Sequence, residues 1–113
     1  MPRNMSFMLT TDQIRNRTKT VTRRFGWNHI KVGEILNACE KCQGLKKGEK
    51  IVKLATIRVV GKKWIDVESI DRADLVKEGF PNMTPDEFIG ILCGNDKRKR
   101  AGMVNRIEFE YLD

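Results

Sequence analysis

No apolar run in this chain approaches the eighteen or so residues that a helix needs to span a bilayer, so a membrane-spanning helix is excluded at once. No signal peptide is expected either. Met1-Pro2-Arg3-Asn4 is followed only by the short apolar patch Met5 to Leu9, and a cytoplasmic location is expected. Cysteine is sparse and odd in number, three in all, which argues against a disulfide framework in a reducing compartment. The Cys39-x-x-Cys42 spacing is that of half a tetrahedral zinc site. The further candidates, Cys93 and His29, supply no second paired spacing, so free thiols and no metal are expected. Acidic residues are the minority, 15 against 22 Lys plus Arg, giving a net charge of +7. A surplus of that size favours polyanionic partners, chiefly nucleic acid. At 113 residues and 40% hydrophobic, the chain suits one domain, residues 1–113, around one core.

Against these shortages, one stretch is rich. Arg17 to Arg24 holds four cations and three threonine hydroxyls around a single apolar side chain, Val21. Threonine and valine are stiff at χ1 and favour extended backbone, so a strand over 17–24 is expected. Its cations and hydroxyls are donors suited to phosphate, carbonyl or nucleobase oxygens. Lys19, Arg23 and Arg24 are expected to form the core of an exposed anion-binding surface. A solvated edge strand protected by its charges is the plainer alternative.

In chain order, Ser6–Leu9 reads as a short strand, and Thr10 with Gln13 reads as a capping box opening a short helix through about Asn16. Val32-Gly33-Glu34 turns into a strand over 35–39, and a polar loop follows over 39–48. The run 51–60 is apolar on both faces, as in a central strand, and Gly61-Lys62-Lys63 reads as a turn into a short strand over 64–67. Asp71 caps a helix with Asp74 in its first turn, Ile70 and Leu75 form a hydrophobic staple, and Gly79 ends the helix after Glu78. Thr84-Pro85-Asp86-Glu87 starts another helix, with Phe88, Ile91 and Leu92 at helical spacing. Residues 95–100 read as a basic loop, either solvated or in contact with phosphate. The last strand alternates, with Asn105, Ile107, Phe109 and Tyr111 on one face. Short strands outnumber helices and no βαβ rhythm appears. The fold class expected is α+β: a small mixed or antiparallel β-barrel with two or three short flanking helices.

Glu78 draws notice on physical grounds. It lies at the negative end of a helix dipole and just before the apolar Gly79-Phe80-Pro81. Both settings favour the protonated form that a proton donor requires, whereas a nearby Lys19 would oppose it.

Lys19-Thr20-Val21-Thr22-Arg23 after a short helix, Gly33-Glu34 opening a strand, and Glu78-Gly79-Phe80-Pro81 ahead of Thr84-Pro85-Asp86-Glu87-Phe88 together resemble the ASCH domain. The resemblance runs from about Met8 to Tyr111. It implies a PUA-like β-barrel that binds RNA or a modified nucleoside in a cleft lined by the Lys19–Arg24 strand and Glu78. Thr20, Arg23, Arg24, Trp27 and Gly79 would be ligand contacts. A similar bacterial branch hydrolyses the amide of acetylated cytidine without a cofactor. By that resemblance Lys19 is the proton acceptor, Thr22 the nucleophile and Glu78 the proton donor. An amidohydrolase or ribonuclease is therefore the alternative to a binding module, and a protein-interaction adaptor is the third. In a regular strand Lys19 and Thr22 point to opposite faces, so a bulge or the reach of the lysine is needed to join them.

Overall fold

The computed structural model describes residues 2–42 and 46–113, so part of the loop expected over 39–48 lies outside the described residues. Five strands form one mixed sheet: β1 (Arg3–Ser6), β2 (Val21–Arg24), β3 (Ile35–Cys39), β4 (Lys53–Asp66) and β5 (Met103–Tyr111). Their order across the sheet is β1-β3-β4-β5-β2. β1 and β3 run parallel, with Met5 opposite Ala38, and the other pairs are antiparallel. The sheet curls into a half-barrel. Its two edges approach at one end, where the Arg24 guanidinium donates to the Ser6 carbonyl.

The long β4 makes the curl possible. Gly61, expected in a turn, instead lies inside this one strand, beside a register shift between Val59 and Gly61. A glycine in a strand interior commonly marks such a bulge, which bends the strand and raises its twist. Residues 51–60 are also not buried on both faces. Ala55, Ile57 and Val59 point inward, and Val60 is exposed.

The first strand lies earlier than expected, at 3–6, and the strand expected over 17–24 is regular only from Val21. Among the described residues four α-helices flank the sheet rather than two or three, beside short 3-10 turns at Met8–Thr10 and Val67–Ser69: α1 (Thr11–Arg15), α2 (Arg72–Glu78), α3 (Pro85–Cys93) and α4 (Lys97–Arg100). The last occupies what the sequence suggested was a loop. α2 and α3 form as their caps predict, and Thr84 and Glu87 make the full capping box. The Thr10–Gln13 box does not form. Thr10 is buried without capping, and the Gln13 amide donates to the Gly79 carbonyl at 3.0 Å instead. On α3 the buried stripe is Phe88, Ile89 and Cys93, while Ile91 is exposed.

Two apolar clusters result. One fills the half-barrel with Met5, Phe7, Ile14, Leu36, Ile57, Ile107 and Phe109. The other joins α2 and α3 to the outer face of β5, through Leu75, Phe88, Ile89 and Val104. β2 runs beside β5, so its side chains are offered to both. Among the described residues no helix is long and apolar enough to cross a membrane.

Candidate functional site

α2 presents two carboxylates four residues apart, Asp74 and Glu78, which helical geometry puts on one face. That face meets cations from the sheet. Arg23 on β2 and Arg106 on β5 lie directly opposite each other in the register, and both reach Asp74. Arg106 Nε donates to Asp74 Oδ2 at 2.7 Å and its second nitrogen to Oδ1 at 3.1 Å. Arg23 gives one nitrogen to Asp74 Oδ2 at 2.6 Å and the other to Glu78 Oε2 at 2.9 Å. Lys19 closes the cluster: its Nζ donates to Glu78 Oε1 at 3.0 Å and to the Glu78 backbone carbonyl at 2.6 Å.

These charges are inside the protein. Lys19, Arg23 and Glu78 are 3%, 5% and 1% exposed. Burying an ion costs several kcal/mol unless partners replace its water, so each of these groups depends on the others. Burial pushes Lys19 below its ordinary value, the Glu78 carboxylate pulls it back, and Arg24 and Arg23 push the same way as burial. Asp74 is held at about 2, chiefly by its hydrogen bond from Arg106, with burial opposing and Arg23 assisting. Glu78 has a cation on each oxygen and accepts from both. The nearby Lys19 that the sequence set against the helix-end effect is present, and Arg23 adds a second cation beside Glu78. Lys19 is itself fixed from behind, since its carbonyl accepts from the Tyr111 hydroxyl at 2.5 Å.

Above the cluster opens a cleft of about 430 Å³, between the open end of the half-barrel and α3. Lys19, Thr22, Arg23, Arg24 and Glu78, with Ser6 and Thr10, supply its polar lining, and Phe7, Phe25, Trp27, Phe80 and Phe88 its aromatic walls. Thr22 is buried, and its hydroxyl accepts from Arg24 Nε at 3.2 Å rather than bonding Lys19. Arg24 is half-buried, 4.7 Å over the Phe7 ring, and burial lowers it to about 10. Trp27 adopts a left-handed φ of 55°, and the Arg3 guanidinium lies 4.9 Å over its ring.

Lys19, Thr22 and Glu78 therefore line one cleft. Because Lys19 lies ahead of the regular part of β2, strand alternation does not separate it from Thr22. Arg23 differs from the expected exposed phosphate contact: its guanidinium is sealed between Glu78 and Asp74. Thr20 and Gly79 do not line the cleft among the described residues. The Thr20 backbone bonds Lys77 and Phe109, and Gly79, at φ 95°, ends α2 where a Cβ would come within 2.9 Å of Gln13 Cγ. Sequence reasoning missed Arg106 and the partnership of Asp74. The i, i+4 carboxylates on α2 facing an arginine-bearing strand were the available signal. Among the described residues no three His, Cys, Asp or Glu side chains converge as metal ligands. Burial raises the Cys39 thiol to about 11, with Cys42 adding to the effect.

No family model and no curated protein matches the chain. The crystal structure of the hypothetical protein PH0355 is similar over 99% of this chain and 100% of that one, with a TM-score of 0.65 and 18% sequence identity. At that identity the likeness shows a shared α+β fold.

Proposed function

We propose that the protein is a cytoplasmic ASCH-family module, one domain with a PUA-like barrel, that binds RNA or a modified nucleoside in the aromatic cleft. The supporting observation is the pairing of two surfaces in one concavity: an aromatic wall and a floor of fixed donors and acceptors. A nucleobase has the matching chemistry, with π faces for Phe and Trp and a polar edge for Lys19, Thr22, Arg24 and Glu78. Stacking on an aromatic side chain contributes about 1–3 kcal/mol per base. Titration calorimetry with cytidine, N4-acetylcytidine, uridine and adenosine tests the reading. Trp27→Ala should weaken the best ligand about tenfold or more. If none of the four binds the wild type, the cleft does not take nucleosides, and an adaptor role becomes the better account.

Hydrolysis is the second reading, favoured by the contact between Lys19 and Glu78 beside Thr22. Burial biases Lys19 toward the neutral amine that a proton acceptor must be. Lys19 would take the Thr22 proton as Oγ1 attacks the acetyl carbonyl of acetylated cytidine. The C–N bond would then break, and the leaving amine would be protonated through Glu78 after that carboxylate has received a proton from Lys19. Water would release acetate from Thr22. In this reading Thr22→Ala abolishes turnover, and Thr22→Ser, which keeps the hydroxyl, retains part of it. Turnover that survives in Thr22→Ala discards the nucleophile. No turnover by the wild type, on acetylated cytidine or as RNA cleavage, leaves the binding module.

A further inference from the structure

On the floor of the cleft the two acids are already engaged, and Arg24 adds a cation bonded to Thr22 and the Ser6 carbonyl rather than to an acid. Lys19 and Arg23 face Glu78 and Asp74 at hydrogen-bond distance, and Asp74 also holds Arg106. Further positive charge is displayed outside the cleft. α4 displays it most densely, as Lys97-Arg98-Lys99-Arg100.

The turn is built to hold these cations outward. The Asp96 side chain accepts from the Arg98 and Lys99 amides at 2.9 and 3.1 Å, which fixes the start of the helix. Arg100 is tied at the other end by Glu68 at 2.9 Å and Asp86 at 2.8 Å. Lys97, Arg98 and Lys99 are exposed and form no ion pair among the described residues. Neighbouring like charges repel, so a polyanion is the natural partner for such a turn.

Its position ties it to the cleft. Lys99 Nζ lies 5.4 Å over the Phe25 ring, and Phe25 lines the cleft. α3, which runs directly into this turn, carries Ile91 and Leu92 on the same lining. A base seated in the cleft would thus have its neighbouring phosphates beside three unpaired cations.

We infer that α4 is a phosphate-binding ridge, and that the ligand is a single-stranded RNA segment whose base enters the cleft while its backbone crosses Lys97–Lys99. The inference rests on the nucleobase reading of the cleft and narrows it from nucleosides to polynucleotides. A free nucleoside would leave the ridge unused.

The test compares wild type with the Lys97→Ala/Arg98→Ala double variant, which leaves Lys99 over Phe25. The probe is a fluorescein-labelled single-stranded RNA of mixed sequence, about ten nucleotides long, a length within the usual span of such sites. Anisotropy is followed between about 50 and 200 mM KCl, and free cytidine, which has no phosphate, is titrated in parallel. The expected result is about tenfold weaker RNA binding at the low-salt end and a log–log salt slope shallower by about one, with the loss confined to RNA. An unchanged affinity and slope overturns the ridge and leaves the cleft reading standing. So does a wild type that binds the RNA no more tightly than cytidine. A double variant that loses binding to vesicles of mixed anionic and neutral phospholipid but keeps the RNA assigns the turn to a membrane surface instead, and also overturns the ridge. Conversely, if cytidine never binds and Trp27→Ala changes nothing, while the double variant still loses RNA, the cleft reading fails and the ridge survives.

Discussion

Arg17–Arg24 and Lys97–Arg100 each carry four cations, yet the first stretch sends Lys19 and Arg23 into the interior while the second holds three of its four in water. The difference lies in the acids opposite. β2 faces α2, whose Asp74 and Glu78 stand on one side of the helix and meet the incoming cations in pairs. Among the described residues the acids paired with α4 side chains are Glu68 and Asp86, both on Arg100, while Asp96 is taken up by the backbone amides of the turn. Basic runs that look alike in composition thus do opposite work. One gives Lys19 and Arg23 to buried acids and helps fasten a helix to a sheet, and the other leaves three of its four cations exposed and without an ion pair among the described residues.

The sharpest way to break this contrast is at Glu78. Glu78→Gln keeps the shape and removes the charge that faces both Lys19 and Arg23. Removing one partner of a buried ion pair costs about 3–5 kcal/mol, because the charges left behind are neither hydrated nor paired. Urea unfolding should register a loss of that size. A loss below about 1 kcal/mol would mean that the cluster relaxes into water and that the interior cations are not held by pairing.

Asp74 comes next, and here acidity itself is the probe. Its folded-state value is depressed, to about 2 from an ordinary 3.8. The stability it contributes is therefore present above about pH 4 and lost as pH falls toward 2. The loss over that window should be about 2 kcal/mol at a site this well shielded. Asp74→Asn should lower stability at neutral pH and flatten the curve over the same window. If wild type and variant lose stability in parallel between pH 4 and 2, the depression does not come from this carboxylate.

Gly79 is a milder test of how Glu78 is delivered. Alanine there would have to hold φ at 95° with its Cβ 2.9 Å from Gln13 Cγ. The left-handed backbone alone costs about 1–2 kcal/mol for a residue with a side chain. Gly79→Ala should accordingly lower the melting temperature by several degrees, and a variant as stable as wild type would show that the end of α2 can be rebuilt without harm.

Much of this arrangement was legible before the fold. The caps at Asp71 and Thr84, the stop at Gly79 and the alternation of β5 rest on local chemistry, and local chemistry is what a sequence displays. The bulge in β4 was not legible, because Gly61 followed by two lysines has the composition of a turn as well as of a bulged strand. Gln13 was misread for a related reason. Its capping role is local, but the side chain goes to Gly79, 66 residues away, where the end of α2 leaves a carbonyl to satisfy. Lys19 and Glu78 could be chosen one at a time, whereas the cation on each oxygen of Glu78 depends on how α2 lies against β2. The cleft's aromatic wall was hidden more thoroughly. Phe7, Phe25, Phe80 and Phe88 come from four separate segments, and each alone has the look of an ordinary core residue.

The smallest effect on stability, and the one that completes the comparison, is expected at α4. Lys97→Ala/Arg98→Ala removes two exposed cations that make no ion pair among the described residues, and alanine is the best helix former. The Asp96 cap acts through the Arg98 and Lys99 amides, which the substitutions leave in place. Arg100 and its two acids are untouched. Surface changes of this kind stay within about 0.5 kcal/mol, and relief of repulsion between neighbouring cations pushes the sign toward stabilisation. Unfolding in urea at low and high salt measures it: a small gain at low salt should shrink as salt screens the remaining charges. A loss above about 1 kcal/mol would mean that Lys97 or Arg98 holds the fold together, as Lys19 and Arg23 do. The two basic stretches would then share a structural role, and α4 would no longer stand apart as charge kept free for a partner.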